Sequence, residues 1–180
     1  MIIHICATGE TVHSFKPDGN IIIGVNDSAK FVHPDYLVCV DTPQAFPKEK
    51  YDFILNTKCK KFFSFIEGWK KHIAFEQISL DPHRGMVSNL IKLKHTNIFN
   101  HSCTSPFVAA VLAYKLGATS IIMWGVDMNT HPKVNGFVKD QAMRDFRNLF
   151  EELKKDNVSL YVGDKRSSLS EFIPVWEQPL

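Results

Sequence analysis

Short apolar runs punctuated by turn residues open the chain. Ile2 to Cys6, Ile21 to Val25 and Tyr36 to Val40 are each nearly all apolar, and Asp18-Gly19-Asn20 and His33-Pro34-Asp35 precede the second and third. Continuous rather than alternating hydrophobicity is the pattern of a strand whose two faces are both covered, as in a parallel sheet flanked by helices. Phe53 to Leu55 and Lys61 to Phe65 read as further short strands, while Trp69 to Asn100 has weak periodicity. Regular patterning returns after His101. Pro106 to Leu116 carries Phe107, Ala110, Val111 and Tyr114 at helical spacing, with Pro106 in the first turn, Ser105 as the expected N-cap and Gly117 as the stop. A strand follows at Ile121 to Trp124, closing at Gly125. Then come a helix from about Gln141 to Lys155 with Phe146, Leu149, Phe150 and Leu153 on one face, a strand at Val158 to Val162 and a short terminal helix over Ser167 to Val175. Alternating strands and helices predict an α/β fold: an open, doubly wound, mainly parallel sheet with helices on both faces and a ligand crevice at the carboxyl ends of the strands.

Composition narrows the class. The 180 residues, at 20.5 kDa, suit a single domain spanning 1–180, and no repeat or interdomain linker is visible. Hydrophobic residues make up 44% and charged residues 22%, so the chain has a core to bury. The 21 Lys and Arg against 19 Asp and Glu leave a net charge of +2, too little for a nucleic-acid footprint. Met1 to Cys6 has no basic leader, and no apolar run reaches the roughly 18 residues of a spanning helix. A cytoplasmic protein without a membrane segment is expected. Cys6, Cys39, Cys59 and Cys103 form no CxxC pair, so they read as reduced thiols.

The polar residues fall where strands end. Ala7-Thr8-Gly9-Glu10-Thr11 follows the first strand, Asn26 and Asp27 the second, and Asp41 and Thr42 the third; His101-Ser102-Cys103-Thr104-Ser105 precedes the helix at Pro106, and Asp127, Asn129 and His131 follow Trp124. Each has an ordinary alternative. Asn26 and Asp27 suit a turn or helix start, and Thr104-Ser105 suits a cap, although a Ser/Thr-rich helix start is also a ready anion site. Asp127 is either hydrogen-bonded to backbone or placed for a ligand. His131 is a surface residue or a base. The chain lacks GxGxxG, GxxxxGK[ST], HExxH and GxSxG, which argues against a dinucleotide fold, a P-loop kinase, a histidine zinc site and a serine hydrolase.

In order and spacing, Ala7 to Thr11, Ile22 to Asp27, Asp35 to Asp41 and Thr104 through Gly117 to Met128 resemble the Rossmann-like bacterial sialyltransferases. They are also similar to the related domain of 6-hydroxymethylpterin diphosphokinases and motility accessory factors. The resemblance covers about two thirds of the chain and leaves Phe62 to Asn100 unmatched. It implies a nucleotide-binding domain in which Thr8, Gly9, Asn26, Asp41, Thr104 and Ser105 hold the cytidine monophosphate of a nucleotide sugar, with Gly125 and Asp127 beside the base. The catalytic histidine of that family corresponds to Asp140, its tyrosines have no match between Met128 and Lys139, and the glycine after Thr-Ser is Pro106.

The expected function is therefore a metal-independent transferase with a CMP-sugar donor, taking Asp140 or His131 as the base. Two alternatives accompany it: an ATP-dependent diphosphokinase-like enzyme with Asp41 and Asp127 holding Mg2+, and a non-catalytic nucleotide-binding module. The expected partners are a nucleotide or nucleotide sugar, with no nucleic acid; homo-oligomerisation is left open.

Overall fold

A computed structural model describes residues 1–64, 69, 73–129 and 136–177. Strands β1 (Ile2–Cys6), β2 (Ile21–Val25), β3 (Tyr36–Cys39), β4 (Lys60–Phe63) and β5 (Glu76–Gln77) are laid down in one direction across the sheet. Two short strands, β6 (Ser79–Leu80) and β7 (Ile98–Phe99), pair with each other apart from it. The chain then returns to the far side of β1 with β8 (Ser120–Trp124) and β9 (Ser159–Val162), giving a seven-stranded sheet of order β5-β4-β3-β2-β1-β8-β9. Every neighbouring pair is parallel. Helices of the described residues include α1 (Lys48–Asn56), α2 (Leu90–Leu93), α3 (Ser105–Lys115) and α4 (Gly136–Lys155), with 3-10 turns at Glu10–Ser14, Ser28–Lys30, Pro43–Ala45 and Ser168–Glu171. This is the expected α/β architecture. No helix among the described residues is long and apolar enough to cross a membrane.

Covering both faces explains the apolar runs. Ile3, Ile5, Ile23, Val38 and Ile121 turn to one face, where they form a continuous core with α3 and with Phe146, Leu149 and Leu153 of α4. Cys6, Ile22, Ile122 and Trp124 turn to the other, over Val12 and Phe15, and Leu37, Cys39 and Phe63 pack there against Ile54 and Trp69. Helix α3 is buried nearly all round from Phe107 to Tyr114, so it shows no one-sided apolar stripe. His4 is the polar exception in β1, and it is satisfied: its Nδ1 accepts from the Trp124 indole at 3.1 Å and its Nε2 faces the Asp18 carboxylate at 3.1 Å. An indole only donates, so the imidazole carries its proton on Nε2.

Several local expectations are corrected. Phe53 to Leu55 is helical, within α1; Pro47 sets its start, Lys48 pairs with Asp52 one turn on, and only Ile54 is buried, which suits a helix laid on a sheet better than a strand within it. Thr104, not Ser105, is the N-cap of α3, because Thr104 has extended dihedrals and Ser105 is the first helical residue. Helix α4 starts at Gly136 rather than near Gln141: half-buried Val138 lies one turn before buried Ala142 on the same face, while neighbouring Phe137 is exposed, which blurs the apolar stripe at this end. The third strand ends at Cys39, one residue early. The terminal helix shrinks to the turn Ser168–Glu171, after which Val175 bridges to Val162 in parallel.

Phe146 is fully buried and meets Phe107 edge-on at 5.5 Å between ring centroids. Phe146→Ala opens a cavity between α3 and α4, and urea denaturation is expected to show a loss of about 3–5 kcal/mol with an unchanged denaturant slope.

Candidate functional site

The direction of strand addition reverses between β1 and β8, and the carboxyl ends of the strands on either side of such a reversal splay apart into a crevice. A cavity of about 400 Å³ lies there. The β1 loop contributes Ala7 to Glu10, the β8 turn contributes Gly125 to Met128, β2 ends on it with Asn26, and Asp41 reaches it from β3. Thr104, Ser105 and Pro106 bring the start of α3, while Val138 of α4 closes one side. The structure thus gathers all eight positions singled out from sequence as nucleotide contacts around a single cavity.

Their roles differ in detail. Asp127 is buried, and both of its oxygens face Thr11: the backbone N–H of Thr11 donates to Oδ2 at 3.0 Å and the Thr11 hydroxyl donates to Oδ1. The same hydroxyl accepts from the Gly125 N–H at 2.8 Å. Of the two readings left open for Asp127, hydrogen bonding within the protein is therefore the one observed, and it ties the β1 loop to the β8 turn. Gly9 is required by this brace, because a Cβ there would lie 2.6 Å from the Asp127 carboxylate and 2.6 Å from the Gly125 carbonyl. Gly125 is required twice over, with φ of 69° and the Ala7 carbonyl 2.7 Å from any Cβ. Outside the brace, Arg166 binds Asp164 through two nitrogens and Glu10 at 3.2 Å, pinning the 3-10 turn that follows Gly9. The Arg166 hydrogen bonds hold the Asp164 carboxyl well below the usual carboxylate range.

Asn26 is different. Its backbone is left-handed, with φ of 53°, its N–H is held by the Val38 carbonyl at 3.0 Å, and its side-chain Oδ1 is buried with no hydrogen-bond partner among the described residues. A strained, incompletely satisfied amide on a cavity wall is a candidate ligand contact. Neighbouring Asp27 does not line the cavity; it is buried and paired with Lys30 at 2.9 Å and, more loosely, with Lys50 at 3.7 Å. Asp41 is exposed at the rim. Among the described residues the lining carries three carboxylates, Glu10, Asp41 and Asp127, and neither lysine nor arginine. The anion donors among the described lining residues are neutral: the hydroxyls of Thr8, Thr104 and Ser105, and the first-turn N–H groups of α3. No group of three metal-ligating side chains occurs among the described residues.

Asp140 lies in the second turn of α4, exposed, and is absent from the cavity lining, whereas Val138 two residues earlier is on it. His131 falls outside the described residues. Sequence reasoning passed over Asp145, the buried acid of α4. It is 2% exposed; Oδ1 accepts from Gln141 at 2.7 Å, and Oδ2 has no hydrogen-bond partner among the described residues. Burial raises its pKa. Burial also raises the thiols of Cys6, to about 12, and of cavity-lining Cys103, which agrees with inert, reduced cysteines.

The fold has known counterparts. CstII sialyltransferase from Campylobacter jejuni, in complex with the substrate analogue CMP-3FNeuAc, superposes with a TM-score of 0.55 at 14% identity over 97% of this chain and 84% of that one. The fold is sialyltransferase-like. A tyrosine-to-phenylalanine variant of CstII in complex with CMP gives 0.58 at 15% identity, covering 97% of this chain and 86% of that one. The alpha-2,3-sialyltransferase from Campylobacter jejuni in apo form gives 0.58 at 15% identity, with 97% and 79% covered. No family model matches the chain, and no curated protein does.

Two outcomes follow from this geometry. Thr11→Val strips Asp127 Oδ1 and the Gly125 N–H of their shared partner, and chemical denaturation is expected to show about 1–3 kcal/mol lost for each buried group left unpaired. Asp145, whose folded pKa is raised, binds its proton more tightly folded than unfolded, so its ionised form opposes folding. Asp145→Asn is expected to raise Tm at neutral pH, and in melts across a pH series the gain should fade as pH falls toward about 4, the ordinary aspartate value.

Proposed function

We propose that this protein is a glycosyltransferase that uses a nucleotide-activated sugar, with a CMP-sugar as donor and no metal ion. The observation that carries the reading is Asn26, a left-handed residue with a buried, unpartnered amide oxygen, set among hydroxyl and N–H donors in a crevice at the strand-order reversal. The sialyltransferase-like fold supports it. An amide oxygen can accept from a nucleotide's amino or hydroxyl groups, and the Thr104-Ser105 end of α3 can receive its phosphate. The neutral donor set suits a phosphodiester that carries one negative charge in the donor and gains a second as it departs, so that stabilisation is needed as that charge develops.

In the reaction, the acceptor hydroxyl forms a bond to the anomeric carbon as the bond from that carbon to the phosphate oxygen breaks, and CMP departs. The hydroxyl proton passes to a base, assigned in this reading to Asp140 or His131. The Thr11–Asp127 brace keeps the β1 loop fixed while charge moves to the leaving phosphate. Asp127 acts through Thr11 and is a positioning residue.

Thermal shift against CMP, CDP, UDP, GDP, ATP and their sugar conjugates, with and without magnesium, tests the reading. Ligand at about 100 times its dissociation constant adds roughly 2.7 kcal/mol of stability. CMP or its sugar conjugate is expected to raise Tm without magnesium, and Asn26→Ala and Ser105→Ala are expected to abolish the shift while leaving the fold intact by circular dichroism. A shift confined to ATP with magnesium would overturn it.

A further inference from the structure

Asp41 stands on the rim of the cavity, and nothing among the described residues engages its carboxylate. Its backbone is firmly held. The Asp41 carbonyl accepts from the indole N–H of Trp69 at 3.2 Å and from the Cys39 thiol at 3.6 Å, and the Val40 carbonyl before it accepts from the Ser64 hydroxyl at 3.0 Å. Trp69 is 0% exposed, stacks on Tyr51 at 5.5 Å and tilts against Phe63 at 4.9 Å, so the residue rests on a buried aromatic cluster. The side chain has no such role. It is exposed and makes no hydrogen bond or ion pair among the described residues, and Thr42, not Asp41, is the N-cap of the 3-10 turn that follows. The fold fixes where this carboxylate sits without using it.

The shape of the cavity decides which part of a nucleotide sugar meets Asp41. Strand order puts β3 and β8 on opposite sides of β2 and β1. At the β8 end Gly125, Val126, Asp127 and Met128 are all buried, whereas Asp41 at the β3 end is open to solvent. Helix α3, whose start offers donors for a phosphate, packs on β1 and β2 between those ends. A flat, largely apolar base suits the closed end. The sugar suits the open one, because a second substrate has to reach its anomeric carbon. An ionised carboxylate there only accepts, so hydroxyl groups satisfy it and a second carboxylate is repelled. Glu10 and Asp127 add charge of the same sign, and the lining offers neither lysine nor arginine among the described residues.

We propose that Asp41 determines donor specificity by charge: it takes a sugar whose hydroxyl groups donate to its carboxylate and rejects one that carries a carboxylate of its own. The inference rests on the transferase reading of the cavity and narrows it, from any nucleotide-linked sugar to one without an acidic group. Rejection by like charge is a repulsive element built into the site, distinct from any contact that adds affinity. Because Asp41 is exposed, the repulsion acts partly through water and weakens as salt is added.

Isothermal calorimetry on the full chain at neutral pH tests this with three ligands: CMP, the acidic-sugar analogue CMP-3FNeuAc, and the methyl ester of that analogue, which removes the sugar's charge and adds one methyl group. In low salt the ester is expected to bind the wild-type chain about fivefold more tightly than the acid, a ratio that shrinks as salt is added. Asp41→Asn keeps the size of the side chain and its capacity to accept from a hydroxyl, and it is expected to bring acid and ester to within about twofold of each other. The wild-type ratio and its salt dependence need no variant, so they decide the matter should Asp41→Asn fold poorly. The proposal falls if the acid binds the wild-type chain as tightly as its ester, if neither conjugate binds while CMP does, or if a folded Asp41→Asn leaves the ratio unchanged. Binding of CMP with any of these results removes charge selection alone and leaves the donor reading standing; absence of binding by CMP and both conjugates overturns the donor reading itself.

Discussion

The short link between Thr11 and Asp127 holds the whole crevice in register. The two loops leave adjacent parallel strands at the strand-order reversal, and the backbone bonds from the Ala7 N–H to the Trp124 carbonyl at 2.8 Å and from the Gly9 N–H to the Gly125 carbonyl at 2.9 Å carry the pairing only as far as Gly9, where the side-chain contact takes over. The carboxylate of one loop takes both donors of a threonine on the other, and the threonine oxygen in turn takes the Gly125 N–H, so each buried polar group finds a partner without water. Both glycines are consequences of this contact. Gly9 lets the carboxylate in, and Gly125 lets the turn double back over Ala7. The cavity wall is built around a polar contact in the protein itself, and Asn26 and the start of α3 face the space it leaves.

Much of the architecture was legible in the chain, for a physical reason. A strand covered on both faces must be apolar at every position, so β1, β2, β3 and β8 stand out as continuous runs, and the polar groups that follow them mark the carboxyl edge. That rule located the walls that follow β1, β2, β3 and β8; the wall from Cys103 to Pro106 was read from the helix start instead, and Val138 was not read at all. It failed where burial is one-sided or slight: Phe53-Ile54-Leu55 looks like a strand although only Ile54 is buried, and the first turn of α4 mixes an exposed Phe137 with a half-buried Val138. The two-residue strands β5, β6 and β7 are too short for periodicity to register. Asp145 went unremarked because a lone acid on an amphipathic helix reads as solvated. Its burial comes from Gly85, sixty residues earlier, a contact that no local spacing encodes.

Two polar regions of the molecule differ in how they are built. The cavity is formed by long strands with deep hydrophobic backing on both faces. The cluster at the carboxyl ends of β6 and β7 hangs on a pair of two-residue strands and depends on side-chain hydrogen bonds, through Asp81, Asn89 and Asn100, for its shape.

Pairing β1 with β8 has a consequence for how the molecule comes to be. Ile2 faces Ser120 and Cys6 faces Trp124 across that ladder, so one edge of the N-terminal strand stays unpaired until more than a hundred further residues have been made. During that interval β1 to β5 are a partial sheet whose open edge is the sequence Ile-Ile-His-Ile-Cys, nearly all apolar and ready to accept any strand that arrives first. The buried histidine in its middle then works as a filter. His4 Nε2 has the Asp18 carboxylate, but its Nδ1 is met by the Trp124 indole N–H, so a foreign strand without that donor leaves a buried ring nitrogen unpaired.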